Sequence, residues 1–166
     1  MGRARKYKTN AARQRAYRQR QKPKIYHRRE SDLWGTPQAE FDTLHAEFGF
    51  TLDACAITSN AKCDHYFTPA QDGLRQEWSG VVFCNPPYSV VDLWIAKAYE
   101  ASKAGATVVC IVYACVDTRW WHTYVEPYAE YRFPKGRWKF ERSGGKGWSA
   151  PRPTAIVIFR PPTDEI

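Results

Sequence analysis

Val81-Val82-Phe83-Cys84-Asn85-Pro86-Pro87-Tyr88 decides how this 166-residue chain is read. Val81 to Cys84 is a short apolar run of the kind that forms a buried strand. Two consecutive prolines follow, each fixing φ and removing a backbone donor. The turn they stiffen presents carbonyl oxygens outward, beside one carboxamide and one aromatic ring. This set suits a flat group that carries an NH2. Asn85 Oδ1 and a backbone carbonyl accept its two hydrogens, and Tyr88 stacks on its face. The exocyclic amine of a nucleobase has that form. A proline-stiffened loop capped by Asn is the plainer reading, so the surrounding elements have to decide.

Working outward, strands alternate with helices. Upstream, Phe50-Thr51-Leu52-Asp53-Ala54-Cys55 reads as the first core strand, with Asp53 near its carboxyl end. Before it, Thr36 and Pro37 are placed as cap and first helical residue. Phe41, Leu44 and Phe48 then supply an apolar stripe, and Gly49 stops the helix. Downstream, the pattern predicts a helix over 90–104 with Leu93, Trp94, Ala98 and Ala101 on its packed side. Gly105 ends it before Thr107-Val108-Val109-Cys110-Ile111-Val112-Tyr113, the most apolar strand. A short helix over 119–125 and strands at 131–133, 138–140 and 155–159 complete the reading. Strand, helix, strand order predicts an α/β domain with a mainly parallel sheet. Such sheets take ligands outside the carboxyl ends of their strands, where Asp53 and Asn85 both fall. Only 25 residues separate Cys55 from Val81, so the sheet is expected to be abridged.

Composition narrows the function classes. The hydrophobic content of 43% supports one modest core. No stretch approaches the roughly 20 apolar residues that span a bilayer. The basic N-terminus lacks an apolar segment after it, so it does not read as a secretory signal. Five cysteines without a CxxC pair predict reduced thiols in a cytoplasm. Cys55, Cys63, Asp64 and His65 match no familiar zinc spacing, and no metal is expected.

Charge is unevenly distributed. Residues 1–29 hold 12 Lys or Arg and no acid, whereas residues 30–166 hold 13 basic and 17 acidic residues. A basic arm over residues 1–30 followed by a catalytic domain over 31–166 is the domain organisation this predicts. A polyanionic partner follows for the arm, with Arg13, Arg15, Arg18 and Arg20 on a stretch of good helix formers that Pro23 ends. A second basic region, residues 119–160, carries 9 Lys or Arg against 3 acids. Arg119, Arg137, Lys139 and Lys146 belong to it and suit phosphate contact.

Asn85-Pro86-Pro87-Tyr88 resembles the Asp/Asn/Ser-Pro-Pro-Tyr/Phe signature of S-adenosylmethionine-dependent methyltransferases that act on exocyclic amines. Further blocks are similar to the bacteriophage DNA N6-adenine methyltransferases related to Dam. They are Thr36-Pro37, Leu52-Asp53-Ala54-Cys55-Ala56, Asn60-Ala61-Lys62-Cys63, Tyr66-Phe67-Thr68, Asp72-Gly73-Leu74, Asp117-Thr118-Arg119-Trp120-Trp121-His122, Gly136-Arg137-Trp138-Lys139-Phe140 and Ser149-Ala150-Pro151. The likeness covers roughly residues 32–160.

The resemblance implies an abridged Rossmann-like methyltransferase fold, S-adenosyl-L-methionine as cofactor and DNA as partner. A bacterial host cytoplasm is implied if the chain is phage-encoded. It gives catalytic roles to Asn85, Pro86, Pro87 and Tyr88, with the Pro86 carbonyl as second acceptor and Tyr88 under a flipped adenine. Cofactor roles fall to Asp53 (methionyl ammonium), Asp72 (adenine amine), Thr36 and Pro37 (near the methionyl carboxylate) and Cys55. A strand-end cap remains open for Asp53, a turn for Asp72 and helix capping for Thr36. After Asp53 the chain has Ala54-Cys55-Ala56 in place of the usual glycine-rich loop. RNA adenine or cytosine-N4 methylation, or DNA binding by a degenerate methyltransferase fold, are the alternatives. No obligate protein partner and no membrane are implied.

Overall fold

A computed structural model describes residues 34–141 and 147–163. Its strands are β1 (Leu52–Asp53), β2 (Val81–Cys84), β3 (Thr107–Tyr113), β4 (Glu130–Arg132), β5 (Lys139–Phe140), β6 (Trp148–Ser149) and β7 (Thr154–Phe159). Helix α1 (Gln38–Phe48) precedes β1, α2 (Val91–Lys103) lies between β2 and β3, and the short α3 (Glu126–Tyr128) lies between β3 and β4. The main sheet has the order β1-β2-β3-β7-β4, and β5 and β6 form a separate pair. β1, β2 and β3 are parallel, while β7 pairs antiparallel with both β3 and β4. Four of the five strands therefore point one way and β7 opposes them. The expected mainly parallel, abridged Rossmann-like sheet is present, and it is mixed at the β7 position.

β3 is central, and its alternation builds both halves of the core. Val108, Cys110 and Val112 face the α2 side with Trp94, Ile95 and Ala98. Val109 and Ile111 face the other way, towards Phe41, Leu44, Phe83 and Phe140. A strand covered on both faces reads as an unbroken apolar run because period-two alternation finds a dry neighbour at every step. Each such side chain contributes about 1.5–3 kcal/mol relative to exposure.

Several local expectations are corrected. The first strand is only Leu52–Asp53, because beyond it the backbone turns to pair with the 65–67 segment: Phe67 N–H donates to the Asp53 carbonyl at 3.0 Å. Thr36 does not cap α1. Gly35 pairs with Glu141 and draws Thr36 inward, Pro37 takes the cap position, and Glu141 Oε1 accepts the Gln38 N–H at 3.2 Å. Leu93 is exposed and Ile95 takes its place in the packed stripe. The 119–125 helix is drawn out into a π-helical turn (Trp121–Val125) that runs into α3. Gly49 ends α1 in the left-handed conformation, as its position predicts.

Candidate active site

Parallel strands bring their carboxyl ends to one edge. There β1 ends in Asp53, β2 runs on to Asn85, and β3 ends in Tyr113. β7 runs the opposite way, so its first residue, Thr154, pairs with Tyr113 at the same edge. The β5–β6 pair folds across this end. Phe140 meets Tyr88 edge-on at 6.3 Å, and Glu141 exchanges backbone hydrogen bonds with Gly35.

Asn85 is oriented on both sides. Its Nδ2 donates to the Trp34 carbonyl at 2.8 Å, and its Oδ1 accepts from the Tyr88 hydroxyl at 3.2 Å. Pro86 and Pro87 are buried. The Pro87 carbonyl is engaged by Val90 N–H at 3.1 Å, whereas that of Pro86 accepts no protein hydrogen bond among the described residues. Burial, with Tyr113 and Cys84 close by, holds the Tyr88 phenol well above its ordinary range, so the hydroxyl remains a donor. The Tyr88 ring lies against Tyr113, tilted by 32° with centroids 4.0 Å apart.

Two voids flank this tip. A narrow cleft, with room for about 10 Å³, is walled by Trp34, Gly35, Thr36, Asp53, Cys55, Asn60, Lys62, Phe83 and Asn85. A larger cavity of about 310 Å³ is walled by Tyr88, Val91, Tyr113, Cys115, Trp120 and Arg152. The Asn85–Tyr88 hydrogen bond thus links one void to the other.

The cleft brings together three of the five expected cofactor residues, Thr36, Asp53 and Cys55. Asp53 is buried and accepts backbone N–H groups from Cys55 (3.2 Å) and Lys62 (3.0 Å). Thr36 Oγ1 is buried without a hydrogen-bond partner among the described residues. Pro37 stands next to the cleft at the start of α1. Asp72 lines neither void: it adopts a left-handed φ of 52° and pairs with Arg75 Nε at 3.3 Å. Its neighbour Gly73 closes on the end of β1, where a Cβ would stand 2.3 Å from the Ala54 carbonyl oxygen.

Sequence reasoning missed Trp34, Asn60, Tyr113, Cys115 and the buried role of Lys62. The Lys62 side chain is only 8% exposed, with Nζ 2.8 Å from Gln38 Oε1 and 3.9 Å from Glu141. No local pattern announces a buried lysine. Burial and nearby carboxylates, Asp53 and Asp64, push the Cys63 thiol up to about 11, so it stays protonated.

Arg119, Arg137 and Lys139 are exposed and have no ion-pair partner among the described residues. Arg132 and Arg160 instead belong to a structural network with Glu47 and Glu130. Arg13, Arg15, Arg18, Arg20 and Lys146 lie outside the described residues. Among the described residues, no helix is long and apolar enough to cross a membrane.

Comparison with known proteins identifies the family. Residues 25–166 match the model of the family described as DNA N-6-adenine-methyltransferase (Dam). A DNA N-6-adenine-methyltransferase of Haemophilus phage HP1 is 30% identical over 139 residues, 80% of each chain. One from Escherichia phage T1 is 30% identical over 92 residues, 54% of this chain and 39% of that protein. The chain is therefore an enzyme of the Dam family, whose members methylate the N6 amine of adenine in DNA with S-adenosylmethionine.

Proposed function

We propose that the Asn85 tip holds a flipped adenine for direct, in-line methylation of N6, with the cofactor's methionyl end in the Thr36–Asp53 cleft. The observation that carries this reading is the carboxamide fixed between the two voids. Nδ2 is committed to Trp34, and Oδ1, held by the Tyr88 hydroxyl, keeps a second lone pair for an N–H of the substrate.

The cleft's donor set fits an α-amino acid. Thr36 Oγ1 offers an unused buried donor and Lys62 a buried cation for a carboxylate, and Asp53 offers a carboxylate for an ammonium. The walls of the narrow cleft have to separate to admit this group. Asp72, beside Gly73 at the end of β1, is assigned to the cofactor's adenine amine. When bound, S-adenosylmethionine supplies an electrophilic methyl group on a good leaving group.

The protein's own work is positioning. Adenine N6 is a poor nucleophile because its lone pair is delocalised into the ring. Asn85 Oδ1 and the Pro86 carbonyl accept its two hydrogens and favour tetrahedral geometry as the N6–methyl bond forms and the methyl–sulfur bond breaks, after which one N6 proton leaves to solvent. Pro87 fixes the turn, and the base rests against the Tyr88–Tyr113 pair. A duplex adenine has to leave the stack to reach this position. Arg119, Arg137 and Lys139 present free positive charge for the DNA backbone, joined by Lys146 and the arm arginines Arg13, Arg15, Arg18 and Arg20.

Replacing Asn85 by Ala tests the reading. Single-turnover methylation of duplex DNA should fall by about 10²–10³-fold, the usual loss of a preorganised transition-state partner. Calorimetric binding of S-adenosylhomocysteine should be nearly unchanged. A variant with the wild-type rate contradicts the assignment.

A further inference from the structure

We propose that Arg152 binds the phosphodiester beside the extruded adenine and so holds the target nucleotide in the larger cavity. This rests on the base-pocket reading above. Tyr88, Val91, Tyr113 and Trp120 give that cavity flat, apolar walls, and Arg152 is the cation on its lining. Such walls suit a base. A nucleotide, however, brings a negative charge with it, and a guanidinium matches phosphate geometry through paired N–H donors.

Arg152 is uncommitted in a way its neighbours are not. Arg75, Arg132 and Arg160 each meet a carboxylate. Arg152 has no carboxylate partner among the described residues; its Nη1 donates to Cys115 Sγ at 3.4 Å. A sulfur is a weak acceptor, so it orients the guanidinium without neutralising it.

The backbone under Arg152 is also set in place. Prolines 151 and 153 fix φ on either side. Ala114 N–H donates to the Pro153 carbonyl at 2.9 Å, and the next residue, Thr154, pairs with Tyr113. The backbone that carries Arg152 is thereby tied to the strand whose last residue, Tyr113, packs against Tyr88. Its exposure leaves it open to a strand lying across the catalytic edge.

The test uses the full chain and a duplex whose methylated adenine has been located. Neutral methylphosphonates replace, one at a time, the phosphates flanking that adenine. The wild-type protein should lose about tenfold to a hundredfold in kcat/KM at one position, the scale of a charge-assisted hydrogen bond. Arg152→Gln should show a similar loss on the unmodified duplex and no further loss at that position, while Arg152→Lys recovers part of the activity. S-adenosylhomocysteine affinity and the thermal midpoint should be unchanged in both variants. Wild-type insensitivity to both substitutions, or an Arg152→Gln enzyme as sensitive as wild type, overturns the role of Arg152 alone. Failure of the wild-type protein to methylate adenine in any duplex removes the base-pocket reading and this proposal with it.

Discussion

The role proposed for Asn85 depends on the orientation of one amide, and its neighbours set that orientation. The Tyr88 hydroxyl donates to Oδ1, so Tyr88→Phe keeps the ring and removes only the donor. Its single-turnover rate should fall by about three- to tenfold, the net worth of one neutral hydrogen bond, with cofactor binding intact. An unchanged rate would show that Trp34 alone suffices. Thr36 supplies a sharper contrast. An unpartnered buried hydroxyl costs about 1–3 kcal/mol, so Thr36→Val should raise the thermal midpoint while weakening S-adenosylhomocysteine binding several-fold. Thr154→Val, which removes the other such hydroxyl, should stabilise without affecting cofactor affinity. Equal cofactor affinity in both variants would separate Thr36 from the cofactor. At this scale the strand-to-turn form of the Asn85 segment was legible, because two prolines stiffen the turn that follows an apolar strand. The helix-cap reading of Thr36 was overruled by the Gly35–Glu141 pairing across 106 positions of chain.

Elements were legible where a period was long enough to read. β3 and α2 stand within a residue or so of their expected bounds, since seven apolar residues or three helical turns leave little ambiguity. β1 was overextended because apolar character continues past the ladder into residues 54–56, which are buried but not in strand. The β5–β6 pair was half seen: 138–140 looked like a strand, but its closure over the catalytic end depends on distant partners at Gly35 and Tyr88. Gly73 shows how an element can matter through one missing atom. An added Cβ would meet backbone oxygen at 2.3 Å, which cannot swing aside like a side chain. Gly73→Ala should therefore cost about 2 kcal/mol or more in denaturant unfolding and should loosen the cleft at the end of β1. A variant with native stability would show that the turn can shift without consequence.

The whole molecule separates chemistry from charge. Residues 30–166 carry more acid than base, whereas the first 29 residues are uniformly basic. A domain of net negative charge that works on DNA relies on local positive surfaces, and the first 29 residues hold 12 of the chain's 25 Lys and Arg. Removal of residues 1–29 should thus weaken DNA binding and flatten its salt dependence, by about 0.9 in the log–log slope for each phosphate the arm neutralises, while cofactor affinity holds. An identical slope would mean that the arm does not engage phosphates.

The measurement that bears most directly on this account is the identity of the methylated nucleoside. Protein incubated with methyl-labelled S-adenosylmethionine and unmethylated duplex DNA, with RNA in parallel, should yield labelled N6-methyldeoxyadenosine from the duplex. The Asn85→Ala protein should yield almost none. Label in N4-methylcytosine or in RNA alone, or equal label from the Asn85→Ala protein, would contradict the account.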